Sequence, residues 1–474
     1  MITTKPKTVL MQAMENKNYR IAFGLMLLAI AAAMHPSLAQ NTKYNVLFIA
    51  VDDMNDWVGP FGGYPGIKTP NIDKLAKKGV VFKKAYCSAP ACNPSRASLL
   101  TGVRPSSSGV YHNNQPWRPV LKDAVTIPQY FTANGYEVKG AGKIFHNAFN
   151  DKASWPSYFG IPKSPEPPQA PVNGFAHFDW SPVNVQDEDM GDYKVVNEGV
   201  GFLNDKHEKP FFLAVGFTRP HLPWYVPQKY FDQYPLSSIK LPETVANDLQ
   251  DVPDAGVKIA KPKGDHKFIL EHKQWEKAVQ GYLASITFAD GQIGRLLDAL
   301  EKSEYAKNTV IVFFGDHGWH LGEKEHWRKF ALWEEASRVP FIVYAPGLSK
   351  ENGVSERTVN LMDIYPTLTE LCELPAKKGV EGHSIVPLLK NPAAAWSHHS
   401  ITTHGFGNHA VRSEKFRYIR YNDGSEELYD HDADPQEWKN LAGDAKYAAV
   451  KSELAKSLPA INAKDAPTVK EGKE

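Results

Sequence analysis

Cysteine is nearly absent from this chain: three residues in 474, Cys87, Cys92 and Cys372. That scarcity excludes a disulfide-built scaffold, and an odd count leaves at least one thiol unpaired. Charge of one sign is also lacking, since Lys and Arg number 54 against 53 Asp and Glu, for a formal net charge of +1. A global attraction to nucleic acid or to an anionic membrane is thereby excluded, and any basic site must be local. Long hydrophobic runs are confined to the start of the chain, and no internal repeat is present. There, Lys17 and Arg20 precede the apolar run from Ile21 to Met34, followed by Ser37-Leu38-Ala39. This order predicts a signal peptide over 1–39, cleaved after Ala39, and hence an exported protein, periplasmic or secreted. Met14 is an alternative start, and an uncleaved anchor is the alternative to cleavage. No later segment reads as a membrane span, so none is expected after cleavage.

What is present suits a large globular protein. Hydrophobic residues make up 42% and charged residues 23%, enough for a sizeable core in one large domain with a smaller one attached. Continuous apolar runs at Asn45 to Val51, Phe211 to Phe217, Thr309 to Phe314 and Pro340 to Tyr344 read as strands covered on both faces. Helical patterns at Asn71 to Lys78, Asp192 to Asn204 and Trp275 to Leu300 separate them. The alternation predicts an α/β sandwich around a mostly parallel sheet, with the large domain over 40–395. Cys372 lies in the apolar helical pattern Leu361 to Leu374 and reads as a buried small hydrophobe. Pro162 to Asn173 and Ile239 to Asp265 read as irregular loops that either shape a cleft or are tolerated surface insertions. Over 396–474 a small α+β subdomain is expected, with short strands at Ala410 to Tyr421 and Glu426 to Asp430, a helix from Lys446 to Leu458, and a frayed polar tail after Ala460.

Two strands run directly into acidic pairs, Val51 into Asp52-Asp53 and Phe314-Gly315 into Asp316-His317. Ligands of such sheets gather at the carboxyl ends of the strands, so this geometry can bring the pairs together, although a single carboxylate there is often a turn or a helix cap. The strongest signal is Cys92-Asn93-Pro94-Ser95-Arg96, followed by Leu100-Thr101-Gly102. It resembles the sequence at which type I sulfatases have their cysteine oxidised to formylglycine. Val51-Asp52-Asp53, Thr69 to Asp73, Gly142 to His146, Arg219 to Trp224, Gly315 to Trp319 and His326 to Lys329 extend the resemblance along the mature chain. The sequence is most similar to the iduronate 2-sulfatase branch.

The resemblance implies an alkaline-phosphatase-like sandwich, a bacterial polysaccharide sulfatase, and a formylglycine-generating enzyme as maturation partner. Sulfate ester hydrolysis needs a strong nucleophile, positive charge and an acid. A hydrated formylglycine at position 92 supplies two hydroxyls, one to attack sulfur and one to release the covalent sulfate afterwards. By family position, Asp52, Asp53, Asp316 and His317, with the side chain at 92, would hold one divalent cation, calcium by resemblance. Imidazole is an uncommon calcium ligand and leaves the metal's identity open. Arg96 and Lys143 would surround the formylglycine, His146 would assist its second hydroxyl, and His221 and Lys329 would bracket the leaving oxygen. Trp117 and Arg118, within Tyr111 to Arg118, and Trp224 suit a uronic acid's ring and carboxylate, or simply pack their loops. The substrate expected is a sulfated carbohydrate, an algal ulvan-type glycan or a glycosaminoglycan fragment. The rival readings are a phosphonate or phosphate ester hydrolase of the same superfamily, and an unmatured protein that only binds sulfated glycans.

Overall fold

Strand β1 (Asn45–Val51) is buried over its whole length. Leu47, Ile49 and Val51 enter one core and Val46, Phe48 and Ala50 the other, which is why its apolar run is continuous rather than alternating. The other strands of its sheet are β2 (Val80–Tyr86), β3 (Glu137–Gly142), β4 (Ser157–Phe159), β5 (Phe211–Phe217), β6 (Thr309–Gly315), β7 (Phe341–Tyr344) and β8 (Gly353–Asn360). In this computed structural model, which describes residues 43–470, they form one eight-stranded sheet in the order β8-β2-β7-β6-β1-β5-β3-β4. The expected signal peptide over 1–39 lies outside the described residues. All pairings are parallel except those of β7, which runs antiparallel to β2 and β6. Helices Pro70–Lys78, Gly191–Asn204 and Trp275–Lys302 bury their apolar stripes on one face. Helices Cys92–Thr101, Ile127–Ala133 and Ile364–Leu371 cover the other. Cys372 is buried at the end of the last of these.

Register decides what the sheet presents. Val51 is level with Gly315 of β6 and Phe217 of β5, and Gly142 of β3 is level with Gly216. The residues that follow, Asp316, Asp52, Thr218 and Lys143, therefore leave one edge of the sheet together, at the carboxyl ends of four adjacent parallel strands. Two glycines make the last approach possible. Gly142 has φ of 75°, and a Cβ on Gly216 would stand 2.2 Å from the Lys143 carbonyl oxygen.

The structure departs from expectation in three places. The stretch Ile239 to Asp265 contains a helix, Asp254–Ala260. Val252 and Ala260 pack there against Ile419 and Tyr421, so burial overrides a Gly- and Pro-containing sequence with weak local propensity. The expected strand Ala410 to Tyr421 is a hairpin of two strands within a four-stranded antiparallel sheet, β9 (Ser400–Thr403), β10 (His409–Arg412), β11 (Phe416–Arg420) and β12 (Glu426–Asp430). This small sheet with helix Ala448–Ala455 is the C-terminal α+β element, and it belongs to one compact unit with the rest of the chain from Tyr44.

The third departure is the tail, which is not frayed over its described part. The backbone amides of Ala463, Ala466 and Val469 donate to the carbonyls of Ser106, Gly109 and Asn114 at 2.7, 2.8 and 2.9 Å. The Gln115 side-chain amide donates to the Ala466 carbonyl at 2.8 Å. Polar composition here signals hydrogen bonding along a groove, not solvation. Ending the chain before Ala463 removes these bonds, each contributing about 1 kcal/mol, and should lower the melting temperature by roughly 4 °C. An unchanged melting curve would show that the strap adds no stability. Among the described residues no helix is long and apolar enough to cross a membrane.

Candidate active site

Cys92 begins a helix whose ten residues are all buried, with Ala91 extended before it and Gly102 left-handed after it. Arg96, one turn along, lies over the same face as Cys92. Its guanidinium reaches Asp52 Oδ1 through Nη2 at 2.9 Å and Asp316 Oδ2 through Nε at 2.8 Å. Nη1 donates to the carbonyls of Lys143 and Ile144 at 2.5 and 2.9 Å. One side chain thus ties together the ends of β1, β6 and β3. Lys143 Nζ stands 2.6 Å from Asp52 Oδ2. Lys329 Nζ lies 2.7 Å from Asp53 Oδ1 and 2.8 Å from Cys92 Sγ.

His317 Nε2 is 3.3 Å from Cys92 Sγ, 3.3 Å from Asp53 Oδ1 and 3.5 Å from Asp316 Oδ2. Nδ1 donates to the Gly318 carbonyl at 3.0 Å, so the Nε2 lone pair faces the carboxylates. His221 repeats the arrangement. Nδ1 donates to the Leu222 carbonyl at 2.6 Å, and Nε2 stands 3.8 Å from Asp53 Oδ2 and 4.0 Å from Asp52 Oδ2. His146 is buried on the stretch that follows Lys143. Burial first, then the Lys143 charge, brings its imidazole down to about 3, which keeps it neutral. The structure therefore brings Cys92, Arg96, Lys143, His221 and Lys329 together with Asp52, Asp53, Asp316 and His317, and places His146 alongside.

Three buried carboxylates face three buried cations here, Arg96, Lys143 and Lys329. Burial opposes the charge of Asp52, but Lys143 and then Arg96 hold that carboxyl well below the usual range. Burial prevails at the other two: Asp53 rises to about 6 and Asp316 to about 7, with the Asp52 charge adding to both. Burial also pushes the Cys92 thiol up, and Asp52 adds to it. Asp53 Oδ2 is buried and accepts no hydrogen bond, while Asp52 Oδ2 meets Lys143 at ion-pair distance without hydrogen-bond geometry. Ligand atoms of Asp52, Cys92, Asp316 and His317 lie within 4.8 Å of one another, as do those of Asp52, Asp53, Cys92 and His221. A buried acceptor left open among crowded carboxylates fits a hard divalent cation, which would keep all three ionised.

A cavity of about 720 Å³ opens over this cluster, and His221 and Lys329 line it together with Asn113, His177, Arg328 and Phe330. Glu166, Ala170 and Pro171 close one side, so the Pro-rich loop does shape a cleft. His177, Arg328 and Phe330 hold left-handed backbones, with φ of 63°, 73° and 75°. Strain of this kind persists where surrounding structure enforces it, commonly around sites. Asn113 and Arg328 lie inside motifs already singled out. His177 and Phe330 carry no mark in the sequence, because nothing in residue type announces a left-handed histidine or phenylalanine.

Of the residues expected either to bind substrate or to pack their loops, Trp117, Arg118 and Trp224 do not line this cavity. Trp117 is buried, stacked on Phe145 at 5.1 Å, and donates its indole N–H to the Phe149 carbonyl. Arg118 lies over the Trp117 ring and pairs with Asp151 at 2.6 Å. Trp224 is buried against Trp180, Tyr282 and Trp319. Large aromatics next to a site bury so much area that the core claims them first.

The protein-family model described as "Sulfatase" matches residues 44–374. One described as "N-sulphoglucosamine sulphohydrolase, C-terminal" matches residues 322–464. A protein of Formosa agariphila named "Sulfatase" is 40% identical over 447 residues, 89% of this chain and 87% of that one. The iduronate 2-sulfatase of Homo sapiens is 31% identical over 400 residues, 77% of this chain and 72% of that one. Among solved structures, the phosphonate monoester hydrolase of Agrobacterium radiobacter superposes with a TM-score of 0.76 at 22% identity, over 88% of this chain and 95% of that one. That last likeness is one of fold.

Proposed function

The chain belongs to the sulfatase family and is a sulfuric ester hydrolase, and from that premise we propose that it is exported and removes sulfate from a uronic-acid-containing carbohydrate, with Cys92 matured to formylglycine. The observation that carries the reading is the position of Cys92 Sγ, 2.8 Å from Lys329 Nζ and 3.3 Å from His317 Nε2, beneath a cavity that Lys329 and His221 line. In the unmodified chain Sγ stands in for the oxygens of the matured side chain. When present, formylglycine supplies a hydrated aldehyde whose two hydroxyls serve attack on sulfur and release of sulfate.

The rest belongs to this chain's own groups. Arg96 and Lys143 hold Asp52 ionised and keep cationic charge beside position 92. His146, neutral, is the proton acceptor for the second hydroxyl. His221 and Lys329 sit at the cavity floor, where the sugar oxygen departs, and one of them donates the proton it needs. Asp52, Asp53, Asp316 and His317 would hold a calcium ion, which contributes the surplus positive charge that three balanced ion pairs lack. Similarity to iduronate 2-sulfatase supports a uronic acid in the substrate, of ulvan or glycosaminoglycan type.

The test is release of inorganic sulfate from a panel of sulfated, uronic-acid-containing oligosaccharides, by protein produced together with a formylglycine-generating enzyme. Mass spectrometry of the Cys92 peptide separates a matured enzyme from a glycan binder that was never matured. Assays of aryl sulfate against aryl phosphate and phosphonate esters separate the two chemistries, and faster phosphoester turnover would displace the proposal. Chelation should lower sulfate release by about 10²-fold or more, with recovery on adding calcium. Activity indifferent to chelator, in a protein proved free of metal, would remove the cation from the account.

A further inference from the structure

We infer that a second cavity beside the catalytic cleft is an anion subsite, which takes a carboxylate or sulfate group on the sugar next to the one bearing the scissile sulfate. The inference rests on the proposed sulfatase reading for the identity of the neighbouring group. The cavity, its lining and its charge stand apart from that reading.

This cavity, of about 400 Å³, is lined by Lys258, Lys261, His266, Arg328, Phe330 and His404 among others. Arg328 and Phe330 also line the catalytic cleft, and between them stands Lys329, whose Nζ meets Cys92 Sγ. One strained tripeptide is thus the wall common to both cavities. His326 lies between this wall and the rim, with Nε2 at 2.7 Å from the Lys329 carbonyl and Nδ1 at 2.8 Å from the Ala260 carbonyl, and burial lowers its pKa so that the neutral ring donates to one of the two. The rim that carries Lys261 thus adjoins the segment that carries Lys329.

The charge of this cavity is one-sided. Its one acidic lining residue, Asp265, is already paired with Arg328 at 2.5 Å. Lys258 and Lys261 are exposed and form no ion pair among the described residues, although Lys258 acts on Asp423 from farther away. His266 Nδ1 accepts the indole N–H of Trp327 at 3.2 Å, so its hydrogen is on Nε2, ready to donate. His404 Nδ1 is buried and lacks a hydrogen-bond partner. Burial, followed by His112, His326 and Lys261, keeps that imidazole neutral, down to about 3. Two unpaired ammonium groups and a free N–H in one cavity await acceptor oxygens, and the unpartnered Nδ1 of His404 can join them as the N–H tautomer. An oligosaccharide with acidic groups on successive sugars supplies such oxygens.

The test is calorimetric titration of the full-length Cys92→Ala protein, which binds without turnover. The probes are two unsaturated heparin disaccharides, each with one uronate, that carry one sulfate and three. Lys258→Glu with Lys261→Glu should weaken binding about tenfold, as two reversed ion pairs at a partly exposed site would. Loss on both probes assigns the uronate to the subsite, whereas loss on the trisulfated probe alone assigns a second sulfate. Equal affinity for the parent and the double variant overturns the subsite, as does failure of the parent to bind either disaccharide. In the matured enzyme, kcat/KM should fall about tenfold more for an oligosaccharide than for aryl sulfate, through KM. The Lys258→Gln, Lys261→Gln pair gives a graded control for folding. Failure of the sulfatase reading looks different: aryl sulfate is left intact by the matured enzyme with Cys92 in place, while the double variant of the Cys92→Ala protein still loses disaccharide binding.

Discussion

Cys92→Ser should lose multiple-turnover sulfate release by about 10⁴-fold or more. Serine at this position retains one hydroxyl near Lys329 and His317, at the start of the same buried helix. It can in principle be sulfated, but it has no second hydroxyl with which to expel the sulfate, so the enzyme stalls after one event. Two measurements separate the possibilities: the rate of sulfate release over many turnovers, and the intact mass of the protein after exposure to substrate. A protein heavier by one sulfate, with release halted, agrees with the account. Full turnover by the serine variant would mean that formylglycine has no part in the reaction.

Arg96→Met should be the most damaging substitution for stability. Its guanidinium is buried and joins Asp52, Asp316 and two main-chain carbonyls. Methionine fills much of the volume but leaves two buried carboxylates without their shared partner, a loss that costs roughly 3–5 kcal/mol. The compact unit runs from Tyr44 to the end of the chain, and at that size each kcal/mol lowers the melting temperature by only about 1 °C, so a drop of roughly 3–5 °C is expected, together with loss of activity. Added calcium should recover part of the melting temperature, because a cation compensates the same carboxylates. A variant as stable as the parent would mean that Asp52 and Asp316 do not depend on this fork, and the charge argument for the site would fail with it.

The sequence makes the scaffold legible where a physical constraint leaves a period or a run. β1, β5 and β6 are buried on both faces, and their unbroken apolar stretches say so. The carboxyl-end position of Asp52 and Asp316 follows from those strands, and the level register of Val51 with Gly315 completes the convergence. Cys92, Arg96 and Lys143 stand in motifs that the sequence shares with sulfatases, and the structure brings these residues together at one end of the sheet. What escaped depends on packing at a distance. Trp224 is as apolar and as near His221 in a cleft as in a core, and only the surrounding rings decide. The helix Asp254–Ala260 is stabilised by side chains of the C-terminal sheet, far along the chain. His177 and Phe330 enter the cleft through backbone angles that no residue type encodes.

The strap formed by Ala463, Ala466 and Val469 gives the molecule an order in time. It lies along the loop whose His112 and Gln115 carbonyls hold the side-chain amide of Asn93, the residue after Cys92. Ala463 to Val469 follow Cys92 far along the chain, so a ribosome makes them long after Cys92 has emerged, and the loop cannot be latched until they too are released. Cys92 in the finished protein is 1% exposed. Any reagent that is to reach this thiol therefore has its best chance before the strap is in place, and in a chain that folds first the cysteine is sealed inside it.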